Sequence, residues 1–132
     1  SLLESDFIDI CIGIADGKLK NVDVNFLRKA SVCKYAVPQG YPDKPIKGEE
    51  IKVENIKNVD GLFYASVYIE NDKIILAGSR AVAIVAVDDS ISGAEAIAEK
   101  EISRVEGPLF HRKDIGKSIL IQSRIDHMGT IR

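Results

Sequence analysis

The 132 residues suffice for one domain that buries roughly two-thirds of its unfolded surface in a single core. A composition of 45% hydrophobic and 29% charged residues describes an ordinary globular chain, and a formal net charge of -2 argues against a general nucleic-acid surface. No apolar run approaches the roughly 20 residues that span a bilayer, and no signal peptide is visible. No nucleic-acid or membrane partner is therefore expected, and a cytoplasmic location is. Cys11 and Cys33 lie far apart within apolar patterns, with no CxxC and no Cys/His cluster, so reduced and buried thiols are expected.

Leu3, Phe7, Ile10, Cys11 and Ile14 form an apolar stripe at helical spacing, with Glu4, Asp6 and Asp9 in the early turns and Asp16-Gly17 as the stop. The chain enters this pattern at Ser1-Leu2-Leu3 without an initiating methionine, which suggests a piece of a longer protein. Asn21 to Lys29 reads as a polar connection, and Ala30 to Val37 as a strand. Ser31, Cys33, Tyr35 and Val37 face one way; Val32, Lys34 and Ala36 face the other. On that second face Lys34 has two readings: a sheet edge with the ammonium in water, or a ligand contact.

Pro38 to Pro45 holds three of the four prolines and reads as a stiff loop, with Gly40 permitting a backbone other residues avoid and Tyr41 exposed. Glu49 to Val53 is a short segment. Leu62 to Glu70 alternates like a half-buried strand, Glu70-Asn71-Asp72-Lys73 is a turn, and Ile74 onward is apolar up to a Gly78-Ser79-Arg80 corner. From Ala81 to Val87 every position is apolar, which predicts a strand covered on both faces, with Arg80 delivered at its start.

Ser92-Gly93-Ala94-Glu95 matches a capping box, and Ala94, Ile97, Ala98, Ile102 and Val105 continue as a helical stripe stopped by Gly107-Pro108. From Phe110 to Arg132 the balance turns basic: Arg112, Lys113, Lys117, Arg124 and Arg132 against Asp114 and Asp126. Asp114 is placed to cap a final helix carrying Ile121, Ile125 and Met128. His111 has no partner at metal-ligand spacing, so no metal site is expected. The element order predicts an α+β fold: an antiparallel sheet of about four strands with helices packed on it.

Four stretches, Leu2-Leu-Glu-Ser-Asp6, Ser31 to Pro42, Gly78-Ser-Arg-Ala-Val82 and Phe110-His-Arg-Lys-Asp-Ile-Gly116, occur in this order. Together they resemble the C-terminal part of the phosphoribosylamine–glycine ligase (glycinamide ribonucleotide synthetase) family, ATP-grasp enzymes of purine biosynthesis. The resemblance covers essentially the whole chain. It implies that residues 1–20 are a helix continuing from a missing ATP-grasp core and that residues 21–132 are the C-terminal α+β domain. It implies a reaction in which ATP, with Mg2+, activates glycine as an acyl phosphate that 5-phosphoribosylamine attacks. The family's nucleotide-clamping lysines and metal ligands lie N-terminal to Leu2, so no catalytic residue, ATP site or metal site is expected here, and the chain alone is expected to be inactive. The partners implied are the N-terminal ATP-grasp part of the same enzyme, glycine and 5-phosphoribosylamine.

Arg80 and Arg112 are the residues suited to holding phosphate or carboxylate, because a guanidinium presents a planar fork of donors. Gly40 and Tyr41 are loop candidates and Lys34 a third cation; Asp114, Gly78 and Gly116 are structural. The corner here is Gly-Ser-Arg where the family often has Gly-Gly-Arg. A salt bridge is the rival reading for Arg80, and an interdomain ion pair for Arg112. The competing reading of the whole chain is a stand-alone small-molecule-binding or dimerisation module.

Overall fold

The computed structural model describes residues 1–131; Arg132, counted above in the basic tail, lies outside the described residues. The first helix forms later than its apolar spacing suggests. Helix α1 is Phe7–Ala15, because Asp6 stays extended and its carboxylate accepts the Ile8 amide at 2.7 Å. Upstream the backbone is drawn into a ladder instead: Leu3 bridges Phe26, and the Leu27 amide donates to the Leu2 carbonyl at 2.8 Å. Gly17 supplies the expected left-handed stop. The stripe does not meet a core, however: Phe7 is 67% exposed and Ile14 59%. Gly13 is the buried residue of α1, pressed against Val22 beside a short 3-10 turn at Leu19–Asn21.

Strand β1 is Ala30–Pro38, followed by β2 at Glu50–Ile51. The alternating stretch from Leu62 is two strands, β3 at Leu62–Tyr64 and β4 at Val67–Glu70, in different sheets. Ala65 and Ser66 make the crossing, their amides donating to the carbonyls of Ala81 at 2.9 Å and Arg80 at 2.8 Å. Strand β5, Lys73–Leu76, closes the hairpin through Asn71 and Asp72, both at positive φ as a tight hairpin turn needs. Strand β6 is Val82–Asp88. Helix α2 is Ile91–Ile102, strand β7 Leu109–His111 and helix α3 Ser118–Ile131.

The expected antiparallel sheet is present with order β3-β6-β1-β7, and a second sheet, β2-β5-β4, accompanies it. The cap of α2 is Ser90, whose hydroxyl accepts the Gly93 amide at 3.0 Å. The box at Ser92 and Glu95 does not form, because Glu95 turns inward. The helix also stops at Ile102, before Val105 and the Gly-Pro pair. Helix α2 lies on β1 and β6, and Ala94, Ala98 and Ile102 bury Val32, Ala36, Val82, Ile84 and Ala86. Small alanines on the helix let it approach the sheet closely, and burial at about 25 cal/mol per Å2 makes this the main source of stability.

The opposite face differs from expectation. Strand β6 is covered on both sides only at its start, where Ala83 is buried; Val85 is half-buried and Val87 exposed. In register across this face lie Ser31 with Val87, Cys33 with Val85, Tyr35 with Ala83, Phe63 with Ala83 and Val37 with Phe110. Among the described residues no helix is long and apolar enough to cross a membrane.

Candidate functional site

The open face of the four-stranded sheet carries an apolar cavity of about 370 Å3 at its β1–β7 end. Cys33, Tyr35 and Val37 come from β1, Tyr41 and Pro42 from the proline loop, and Phe110 from β7. Arg112 and Ile115 close it from the strap that follows β7. Tyr35 and Phe110 sit there because alternate residues of paired strands share a face.

Arg80 does not line the cavity itself, but its guanidinium lies 5.0 Å from the centre of the Tyr35 ring, which does. That distance suits a cation over an aromatic face. The rival salt bridge is not found: Arg80 makes no ion pair among the described residues. Its side chain is exposed, so the charge is available to an anion.

Arg112 is already engaged. Its Nε and Nη2 donate to the two carboxylate oxygens of Asp114 at 3.0 and 2.5 Å. Hydrogen bonding to Asp114 raises the Arg112 pKa, and the same bonds hold the Asp114 carboxyl below its ordinary value. This corrects the capping role: α3 begins at Ser118, well past Asp114, and the carboxylate faces Arg112 instead.

Gly40 and Tyr41 part company. Gly40 has φ of 80°, and a Cβ there would stand 2.1 Å from the Lys44 carbonyl oxygen, so the glycine serves the turn itself. Tyr41 is half-buried against the cavity rather than fully exposed. Gly78 lies under the Lys47 side chain at the corner between the sheets.

Lys34 overturns the edge reading. Strand β1 is internal to its sheet, and the residue is 1% exposed beneath α2. Its Nζ donates to Glu95 Oε1 at 2.8 Å, Glu99 Oε2 at 2.5 Å and the Lys113 carbonyl at 3.3 Å. The second oxygen of each glutamate reaches further: Glu95 Oε2 accepts from Lys117 at 2.8 Å, and Glu99 Oε1 lies 3.1 Å from His111 Nε2. Burial pulls the Lys34 pKa down, but the bonds to Glu95 and Glu99 outweigh it and leave it above the ordinary lysine value. Bonds from Lys117 and Lys34 hold Glu95 low; for Glu99, burial pushes up and Lys34 and His111 overcome it.

Glu95 and Glu99 were absent from the sequence reading as site residues. Their i, i+4 spacing on the face of Ala98 and Ile102, opposite a lone lysine in an apolar strand, was the available signal. Both cysteines are free as expected, but exposed rather than buried. Cys33 is partly enclosed at the cavity, where burial pushes its thiol pKa up. Among the described residues no three His, Cys, Asp or Glu side chains converge as a metal ion requires.

Residues 31–118 match the family model described as phosphoribosylglycinamide synthetase, C domain. The chain is 48% identical over 132 residues to a phosphoribosylamine–glycine ligase of Methanosarcina barkeri, and 48% over 135 residues to that of Methanocaldococcus jannaschii. Each alignment covers 100% of this chain and 30% of the relative, so the chain spans about a third of the length of these relatives. The crystal structure of the phosphoribosylamine–glycine ligase of Thermotoga maritima aligns with a TM-score of 0.61 at 22% identity, over 80% of this chain and 27% of that one. That last likeness concerns the fold, α+β with an antiparallel sheet, and agrees with the architecture described above. With a family model matched across most of its length and relatives of this similarity, the chain belongs to the phosphoribosylglycinamide synthetase C-domain family.

Proposed function

We propose that this chain is the C-terminal portion of a phosphoribosylamine–glycine ligase, which joins glycine to 5-phosphoribosylamine in purine biosynthesis. ATP converts the glycine carboxylate to an acyl phosphate, and the amine of the sugar phosphate displaces phosphate to give glycinamide ribonucleotide. The observation that carries the reading is the open aromatic face of the sheet, with Arg80 over its Tyr35 ring and in no ion pair among the described residues. A large uncovered apolar face asks for a partner, and the relatives have the additional length to supply one. In this proposal that face, with residues 1–20, packs on the ATP-grasp part of a cytoplasmic enzyme.

ATP and Mg2+ would be held by that other part. The described residues here do not fit a metal site. What this chain offers is a wall that excludes water from a reactive acyl phosphate and a cation for the sugar phosphate. Among the described residues Arg80 is the free cation for that work, while Arg112, its fork held by Asp114, forms part of the wall itself. Lys34, buried and paired, is left out of direct contact.

The test is Arg80→Ala in the complete ligase. Loss of one charge-assisted contact, worth about 1.5–3 kcal/mol, raises the KM for 5-phosphoribosylamine roughly tenfold or more and leaves the KM for ATP nearly unchanged. Equal changes in both would remove Arg80 from this role. Calorimetry of the isolated chain with ATP and Mg2+ is expected to show no binding, and micromolar binding would favour a self-sufficient module.

A further inference from the structure

The cavity and the buried charges lie on opposite faces of the same sheet, and one segment belongs to both. His111 to Lys117 leads from the end of β7 to the start of α3. Arg112 and Ile115 of this strap line the cavity on the open face. On the covered face it is held at three points. Lys34 Nζ reaches its middle at the Lys113 carbonyl, 3.3 Å away, while Glu99 meets His111 at one end and Glu95 meets Lys117 at the other. Each glutamate thus gives one oxygen to Lys34 and one to the strap.

The fit is close. Gly116, at φ of 82°, lies so near Glu95 that a Cβ would stand 2.9 Å from the glutamate Cγ. Stability alone does not explain such an arrangement. Desolvating a lysine and two carboxylates costs free energy that their mutual attraction repays only with good geometry, and an apolar cluster of the same volume is often as stable. What the charges add is direction: a hydrogen-bonded network fixes one register of the strap where apolar packing tolerates several.

We infer that Lys34, through Glu95 and Glu99, is a positioning residue that sets the strap and so fixes Arg112 and Ile115 at the substrate wall. It acts from behind the sheet and touches nothing in the cavity. The inference rests on the proposed ligase function only for the identity of the substrate.

The experiment uses the complete ligase. Lys34→Met alone leaves the buried Glu95 and the half-buried Glu99 without their shared cation and risks unfolding, so the decisive variant is Lys34→Met/Glu95→Gln/Glu99→Gln, which removes the charges together. Amide hydrogen exchange over residues 110–117 is expected to rise about tenfold, with β1 and β6 unchanged. The KM for 5-phosphoribosylamine is expected to rise several-fold while kcat and the KM for ATP hold, and adding Arg112→Ala is expected to give less than an additive loss. A folded triple variant with unaltered strap exchange overturns the inference. Faster exchange with every kinetic constant intact, in this variant and in Arg112→Ala, keeps the strap mechanism and removes the substrate wall from the proposed function instead. Faster exchange with strictly additive kinetics refutes the positioning of Arg112.

Discussion

The two faces of the four-stranded sheet are built from the same strands, yet they behave as different materials. Under α2, Val32, Ala36, Val82, Ile84 and Ala86 are sealed, and the polar side chains there are hydrogen-bonded among themselves. On the other side Tyr35, Phe63, Val87 and Phe110 are exposed, and Tyr35 and Phe110 line a cavity with the Arg112 guanidinium in its wall. The first face holds the fold; the second is left for something else to complete. The difference teaches that an apolar residue reports a need for cover without saying whose chain provides it.

Breaking the covered face should cost most. Lys34→Met, by stranding Glu95 and Glu99, is expected to destabilise the chain by about 3–5 kcal/mol in urea unfolding, against Glu95 at 4% exposure. Ile84→Ala, at a fully buried central position, should cost about 2–5 kcal/mol by the same measurement. The network also sets an acid limit. Glu95 and Glu99 titrate below the ordinary value of 4.5 in the folded chain, so each contributes stability above pH 4.5 that is lost as pH falls through its lowered pKa. Lys34 is raised above 10.5, so its contribution is complete below that pH and lost only as pH rises through the raised value. Urea midpoints should be flat between these limits, and a midpoint already falling at pH 6 would count against the network.

Gly40→Ala should cost about 1 kcal/mol or more, since the left-handed backbone is unsuited to a side chain and Lys44 occupies the space. On the open face the effects should be smallest. Val87→Ser is expected within about 0.5 kcal/mol in the isolated chain, and a loss as large as that of Ile84→Ala would erase the distinction between the faces.

Much of this was legible beforehand, for physical reasons that can be named. The strands at Ala30 and Ala81 announce themselves through long β-branched and apolar runs, and the alternation of β1 correctly divided Val32, Lys34 and Ala36 from Cys33, Tyr35 and Val37. The hairpin at Asn71-Asp72 carries its own turn chemistry. Other features depended on neighbours distant in sequence. Lys34 looked like an edge residue because its carboxylates arrive 61 and 65 positions later. Asp114 had the right residue type for a cap, but Arg112 two positions away offered a stronger partner. Two hydroxyls compete to start α2, and Ser90 wins because Glu95 is needed inside. Of the cavity lining, Arg112 and Tyr41 were within reach of the sequence, while Phe110 joins them through strand pairing and Ile115 through the strap after β7.

Cys33 carries a last consequence. Its sulfur forms part of the cavity wall, and partial enclosure keeps it in the thiol form at neutral pH. Peroxides and alkylating reagents attack the thiolate, so the raised pKa lowers the reactivity of this sulfur in spite of its position. Alkylation of Cys33 is therefore expected to be slower than that of an unenclosed thiol, a difference that timed labelling of the two cysteines would read.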